Sequence, residues 1–468
     1  MQAPFDIPAD LDTPVSAFLK LQGLRPRFLL ESVDGAERQG RYSFIGFGEV
    51  QEVTLGPDGA SLLGEERPAP KNRAECLELL REALAKAPVL RPEIPELAFT
   101  GGLFGVSGYP LALHLDRVRC HANGASSNTE APVEVAELRY LAPEAVLVFD
   151  HRKRACALLS SGTEAQRTSL HDEVRKALLG PLPRRPQGAS FTPPTPSLDR
   201  ASFIERVGRA KEAIAAGEVY QLVLSSAFSG ETDLEPLEVY RALRLLNPSP
   251  YMYLFEFGDQ AIVGASPEAL VRLEGRRATL QPIAGTRPRG ENDARDVELE
   301  EELCADPKEA AEHVMLVDLA RNDLGRVAQP GTITVEPFRQ IQRYSHVMHL
   351  VSGVNGVLEE PHDMFELFAS CFPAGTVVGA PKIRALELID EFEPQSRGYY
   401  AGTVGYFGHG GVMDQAICIR TLFFENGRYR FQSGAGIVAD SQPDAEYDEV
   451  LNKGGALRAA LELAAEGL

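Results

Sequence analysis

The chain has 468 residues, 44% of them hydrophobic, and a formal net charge of −20. That length buries a large core in one domain or two intertwined ones. The acidic balance, with no basic stripe against it, excludes nucleic acid and anionic membrane as partners, so an anionic substrate would need local cations.

The opening MQAPFDIPADLD carries no basic stretch followed by an apolar run, and no segment approaches the ~18 to 20 apolar residues of a membrane span. The six cysteines, Cys76, Cys120, Cys156, Cys304, Cys371 and Cys418, form no CxxC pair, against a disulfide framework or a structural zinc. A soluble, unprocessed, cytoplasmic protein is expected.

In the first half, strand-like runs at Arg41 to Phe47 and Glu144 to Phe149 mix with helix-like runs near Ala74 to Ala87 and Gln166 to Leu179. Six prolines in GPLPRRPQGASFTPPTPS, 180 to 197, exclude a helix or inner strand. The division is therefore an N-terminal half, 1–180, a Pro-rich linker, 181–198, and a second half, 199–468. The second half opens with a helix, Ser202 and Glu205 reading as its capping box and Gly217 as its end. A strand, Tyr220 to Ser225, follows. From 247 to 290, β-branched and aromatic runs broken by Gly, Pro and Asp predict several antiparallel strands. A helix is predicted over Pro307 to Leu319, with Glu312 on the same side as Met315, Leu316 and Leu319. Strands and helices do not alternate as βαβ units, which points to an α+β fold with large, mostly antiparallel sheets.

Candidate chemistry concentrates between Phe372 and Lys453. PAGTVVGAPK (373 to 382), GYYAGTVGYFG (398 to 408), CIRT with Arg420, QSGAGIVADS (432 to 441) and EYDEVLNK (446 to 453) set rigid glycine turns around few charges. The first places a Thr hydroxyl and backbone N–H groups in a Gly/Pro-bounded loop, a common anion holder. Glu268, after Pro267 and before an apolar run, is a candidate general acid if partly buried, or a helix-capping carboxylate. An Arg in an apolar run, such as Arg420, usually faces a carboxylate or phosphate. His346 and His349 are too close in sequence to tell a strand from a helical turn. Taken alone, Glu446, Glu449 and Lys453 are an ordinary solvated helix face. GAGIVA fits GxGxxG/A, but no helix starts at its second glycine, so the dinucleotide reading lacks its context.

With LLES (29 to 32), GRYSFIG (40 to 46) and NPSPYM (247 to 252), these ordered strings resemble the chorismate-utilising enzymes, in particular the anthranilate-forming members, over nearly the whole chain. The resemblance implies a sandwich of two large antiparallel sheets with helices outside and chorismate in the cleft. It implies Mg²⁺ on Glu312 and Glu449, Glu268 as general acid for loss of the C4 hydroxyl, and His349 for the elimination of pyruvate. Thr376, Tyr400, Arg420, Gly434, Ala435, Gly436 and Lys453, with Gln221, Ala284, Gly285 and Thr286, would form the substrate wall. Where water-using relatives carry a lysine base this chain has Gln221, and where aminodeoxychorismate synthases carry a nucleophilic lysine it has Ala284. Direct attack by ammonia is implied, giving aminodeoxyisochorismate and then anthranilate and pyruvate. An aminodeoxychorismate or aminodeoxyisochorismate synthase and a catalytically silent tryptophan sensor are the alternatives. Leu30, Glu31, Ser32, Arg41, Pro250, Tyr251 and Met252 match the family's tryptophan site, which makes the first half regulatory and subunit-contacting. No cysteine sits in a GxCxG elbow, so ammonia is expected from a separate glutamine amidotransferase subunit, within a hetero-oligomer.

Overall fold

The computed structural model describes residues 5–33, 40–94, 96–97, 99–119, 135–183, 188–343 and 347–468. The elements around the cavities begin with strands β1 (Phe28–Glu31), β2 (Tyr42–Gly56), β3 (Gly102–Ser107) and β4 (Leu138–Asp150). Helix α1 (Arg200–Ala215), β5 (Gln221–Glu231), α2 (Pro236–Leu246), β6 (Tyr251–Glu256), β7 (Gln260–Ser266), β8 (Ala269–Glu274) and β9 (Arg277–Leu280) follow. Then come β10 (Ile283–Pro288), α3 (Pro307–Gly325), β11 (Gln340–Arg343), β12 (Val347–Val351), β13 (Val354–Val357) and α4 (Lys382–Phe392). The chain closes with β14 (Thr403–Gly408), β15 (Val412–Ile417), β16 (Thr421–Glu425), β17 (Arg428–Ile437) and α5 (Pro443–Glu466).

The fold is α+β with antiparallel strands, as expected, but its large faces are not separate sheets. Hydrogen bonding runs without a break through β5, β17, β16, β7, β6, β1, β2, β4, β3, β14, β15, β8, β9 and β13, within a sheet of 21 strands. β10, β12 and β11 form a small sheet of their own. The large sheet curls because apolar side chains fill both of its faces. In β6, Tyr251, Tyr253 and Phe255 point into the curl while Met252 and Leu254 meet the outer core under the helices. A strand covered on both faces reads as a continuous apolar run, as YMYLF does. Across the curl, Phe28 of β1 stacks on Phe104 of β3 at 4.5 Å between centroids.

Two readings of local sequence change. Asp199 caps α1, accepting from the Ser202 backbone N–H at 2.8 Å; its carboxylate lies just ahead of the predicted Ser202 cap and takes the exposed donor first. In α3 the buried stripe is His313, Leu316, Val317, Ala320 and Leu324, with Glu312 on its flank at a cavity rather than inside the packing. Among its described residues, the Pro-rich segment contributes a short strand, Thr195–Pro196, against β5 and a β-bridge from Phe191 to Thr232.

Candidate active site

One cavity of about 860 Å³ collects Gln221, Glu268, Glu312, Thr376, Tyr400, Arg420, Gly434, Gly436 and Lys453, all named from sequence. Val223, Ile283, Leu316, Val377, Ile419, Gln432 and Ser433 complete its wall and were not singled out as site residues from sequence. They are ordinary apolar or strand residues, with nothing in their identity to mark a site.

Glu268 sits in the short connection from β7 to β8, not at a helix start. Burial pushes its carboxyl up to about 7, against the opposing pull of the Thr376 hydroxyl, Lys453 and Arg420. The Thr376 hydroxyl donates to Glu268 Oε1 at 3.2 Å. Arg420 leaves β15 in a left-handed backbone conformation, φ 51°, which turns the chain toward β16. Among the described residues no hydrogen bond or ion pair engages its guanidinium, although Glu268 lies within its electrostatic reach, and such a half-buried cation suits an anion. The second cation is Lys453 of α5, which donates to the Gly434 carbonyl at 3.1 Å and pairs with Glu449 at 2.6 Å.

The floor is β17, and its glycines are needed for space. A Cβ on Gly434 would lie 2.7 Å from the Tyr400 hydroxyl and 2.8 Å from the Leu224 carbonyl oxygen; one on Gly436 would lie 2.6 Å from Gln221 Nε2. Gln221 Oε1 is buried without a hydrogen-bond partner, an acceptor facing the cavity with nothing to accept from.

Other predicted residues stand behind this wall. His349 lies on β12, so its segment is a strand; His346 lies outside the described residues. Its Nδ1 is 3.0 Å from the Gly285 carbonyl oxygen, which fixes that nitrogen as the donor and leaves Nε2 as the basic one. Thr286 Oγ1 is 3.1 Å from the same nitrogen. Burial holds the imidazole below its ordinary range, opposed by the Gly285 carbonyl and helped by Arg420, which places His349 within electrostatic reach of the cavity. Ala284 is buried in β10 beside Ile283, and Ala435 is buried between the two floor glycines.

Glu312 lines the cavity, while Glu449, half exposed on α5 beside Lys453, is not among the lining residues but lies within electrostatic reach of Glu312. Partial burial, then the charges of Glu309 and Glu449, push the Glu312 carboxyl above its usual range. Oxygen donors whose charges repel one another suit a hard divalent cation, so the residues fit Mg²⁺, although among the described residues no set of three or more ligand-type side chains converges.

A second cavity, about 1480 Å³, lies inside the curl and is lined by Leu30, Glu31, Ser32, Arg41, Pro250, Tyr251 and Met252. Ser32 Oγ is buried with no partner. The Glu31 carboxylate is engaged on the other face of β1, by the Tyr240 hydroxyl and by Arg244 at 3.1 and 3.2 Å. Arg41 is held by Asp150 at 2.8 Å. Unread from sequence was a polar cluster on the same wall: Tyr251 donates to Asp414 at 3.0 Å and Arg272 pairs with Asp414 at 3.2 Å.

The profile of the chorismate binding enzyme family matches residues 25–459. The chain belongs to the chorismate-binding enzyme family. It is 42% identical to anthranilate synthase component 1 of Thermus thermophilus, over 98% of this chain and 97% of that one. The Pseudomonas aeruginosa protein of the same name is 41% identical, over 99% and 96%. Among solved structures, anthranilate synthase component I from Streptococcus pneumoniae superposes with a TM-score of 0.77 at 31% identity, covering 98% of this chain and all of that one. The menaquinone-specific isochorismate synthase of Escherichia coli shares the fold, with a TM-score of 0.71 at 22% identity over 98% and 96%. Among the described residues no helix of this family member is long and apolar enough to cross a membrane.

Proposed function

We infer that this chain is the chorismate-converting component of an anthranilate synthase, making anthranilate and pyruvate from chorismate and ammonia by way of aminodeoxyisochorismate. The observation that carries this reading is Glu268, a carboxyl held at about 7 in a cavity with two cations. The substrate carries two carboxylates, which Arg420 and Lys453 would receive. Its C4 hydroxyl is a poor leaving group, and Glu268 would deliver the proton that lets it depart as water while ammonia bonds to C2. The unpartnered Gln221 Oε1 would accept an N–H of the nucleophile. Ala284 offers no competing nucleophile. His349 Nε2 would then remove the C2 proton as the enolpyruvyl group leaves to become pyruvate and the ring becomes aromatic. Ammonia would come from a glutamine amidotransferase partner.

Glu312 and Glu449 would hold Mg²⁺, which when bound supplies positive charge to the ring carboxylate. Chelation should abolish turnover and added Mg²⁺ should restore it. A Glu312→Gln variant should need more metal for half-activation; an unchanged requirement would remove Glu312 from the metal site.

Incubating the protein with chorismate, Mg²⁺ and a high ammonium concentration tests the reading directly. Anthranilate with equimolar pyruvate supports it. An aminated product without pyruvate would move the chain to a synthase lacking the elimination, and no turnover would leave a tryptophan sensor.

The cavity inside the curl would take tryptophan as a feedback inhibitor, the Ser32 hydroxyl gaining in the ligand the partner it lacks. The chain contains no tryptophan residue, so no indole of the protein overlaps the emission of the ligand, and the change in that emission on binding reads occupancy. Ser32→Ala should weaken tryptophan binding roughly 2- to 10-fold, the worth of one hydrogen bond, with uninhibited turnover unchanged. Inhibition of undiminished strength would place the effector elsewhere.

A further inference from the structure

Two ion pairs that the chemistry above does not use close around the loop from Phe372 to Pro381. On one side, Lys382 Nζ lies 3.0 Å from Asp323 Oδ1, and both side chains are nearly withdrawn from solvent. The same ammonium donates to the carbonyls of Cys371 at 3.1 Å and Ser370 at 3.4 Å. Those carbonyls belong to the open C-terminal end of the helix Met364–Cys371. Lys382, at the far end of the loop, thus grips the backbone at its near end, and Asp323 ties both to α3, which carries Glu312.

On the other side, Arg397 pairs with Glu393 at 2.6 Å, their side chains 1% and 4% exposed. The guanidinium donates to the Val377 carbonyl at 2.7 Å and the Val223 carbonyl at 2.8 Å, and lies 5.5 Å from the Tyr400 ring. Glu393 accepts from the Ser225 backbone N–H at 2.8 Å and from its hydroxyl at 2.7 Å. Val223, Val377 and Tyr400 all line the substrate cavity. Between the two grips sits Thr376, hydrogen-bonded to Glu268.

Desolvating four charges is costly, and apolar residues of matching volume often hold a fold as well. What the ions add is direction, since each cation fixes two backbone carbonyls in addition to its carboxylate. We propose that Asp323, Lys382, Glu393 and Arg397 are positioning residues for the reaction, a buried frame that keeps the Thr376 hydroxyl on Glu268. This rests on reading Glu268 as the general acid. A hydrogen bond to an ionised carboxylate favours that form, so slackening the frame should let Glu268 hold its proton to higher pH. The other groups facing Glu268 are Arg420 and Lys453, with Glu312 across the cavity, His349 behind Arg420, and Asp323 across a small space behind it.

The test is the pH profile of kcat/KM in two variants that conserve charge. Asp323→Asn with Lys382→Met removes one pair without changing net charge, and Arg397→Lys keeps the charge but loses the forked grip. Unfolding temperature is measured alongside, and Thr376→Val sets the size of the effect when the donor itself is gone. We expect a kcat about tenfold or more lower with a KM for chorismate within about twofold, and an alkaline limb moved upward in the direction set by Thr376→Val. If the double variant does not fold, Arg397→Lys decides alone. Folded variants with an unmoved limb and full kcat, beside a shifted Thr376→Val, would overturn the frame and leave the general acid standing. Full turnover in Glu268→Gln would instead bring down the acid and the frame together.

Discussion

Glu268→Gln is expected to lower turnover by roughly 10² to 10⁴ with chorismate binding largely kept, the usual cost of losing a positioned general acid. The amide preserves shape and can still accept from Thr376, but it has no proton to deliver to a departing hydroxyl. The pH dependence gives a second, independent reading. The Glu268 carboxyl is raised to about 7, so it is protonated and competent below that pH and ionised and useless above it. In the parent, kcat/KM should therefore fall as pH rises through about 7. His349, held below its ordinary range by burial, is neutral and basic through the same region and should set the acid limb. In the variant the alkaline limb should vanish while the acid limb stays. Near-normal turnover, or an alkaline limb that survives the substitution, would take Glu268 out of the mechanism.

Arg397→Met should unfold the protein more readily by about 3–5 kcal/mol, the penalty for leaving one partner of a buried ion pair alone. The case is strong because both side chains are almost completely sequestered, 1% and 4% exposed, and because two backbone carbonyls lose their donor in the same step. Among the described residues, the Glu393 carboxylate would keep its hydrogen bonds from Ser225 and the nearby charge of Arg430. Urea titration of parent and variant measures the difference, and a change under about 1 kcal/mol would mean that the site relaxes or admits water.

Much of the substrate cavity was legible because its residues announce themselves chemically. Thr376 stands in a string punctuated by Gly and Pro and Arg420 is a cation in an apolar run, while Gly434 and Gly436 leave room that a side chain would fill. The order of those strings, not the physics of any one residue, carried the family resemblance. Glu268 was legible as a carboxyl beside an apolar run, but its raised proton affinity comes from burial, and Thr376, Lys453 and Arg420, which oppose that rise, arrive from other parts of the chain. The ion-pair frame left no trace for the same reason: Asp323 and Lys382 are an unremarkable acid and base until α3 and the end of the loop are brought together. The Arg272 and Asp414 cluster was equally silent, being polar residues on strands whose neighbours are apolar. The continuity of the sheet escaped too, because period-2 patterning shows that a segment is a strand and says nothing about which strand it will join.

That continuity bears on how the molecule is made. β3 pairs with β14, Gly105 lying opposite Gly405, and β1 pairs with β6, Leu30 opposite Tyr253. A nascent chain emerging from the ribosome therefore carries β3, paired on one side with β4, past the Pro-rich segment and through most of the later sequence before its second neighbour exists. Contacts this distant in sequence slow folding and leave strand edges open in the interval. Cutting the gene at the Pro-rich segment would yield two polypeptides that each expose an unpaired edge, which favours aggregation over folding; only co-expression, with each piece supplying the other's missing strands, would be expected to recover soluble material.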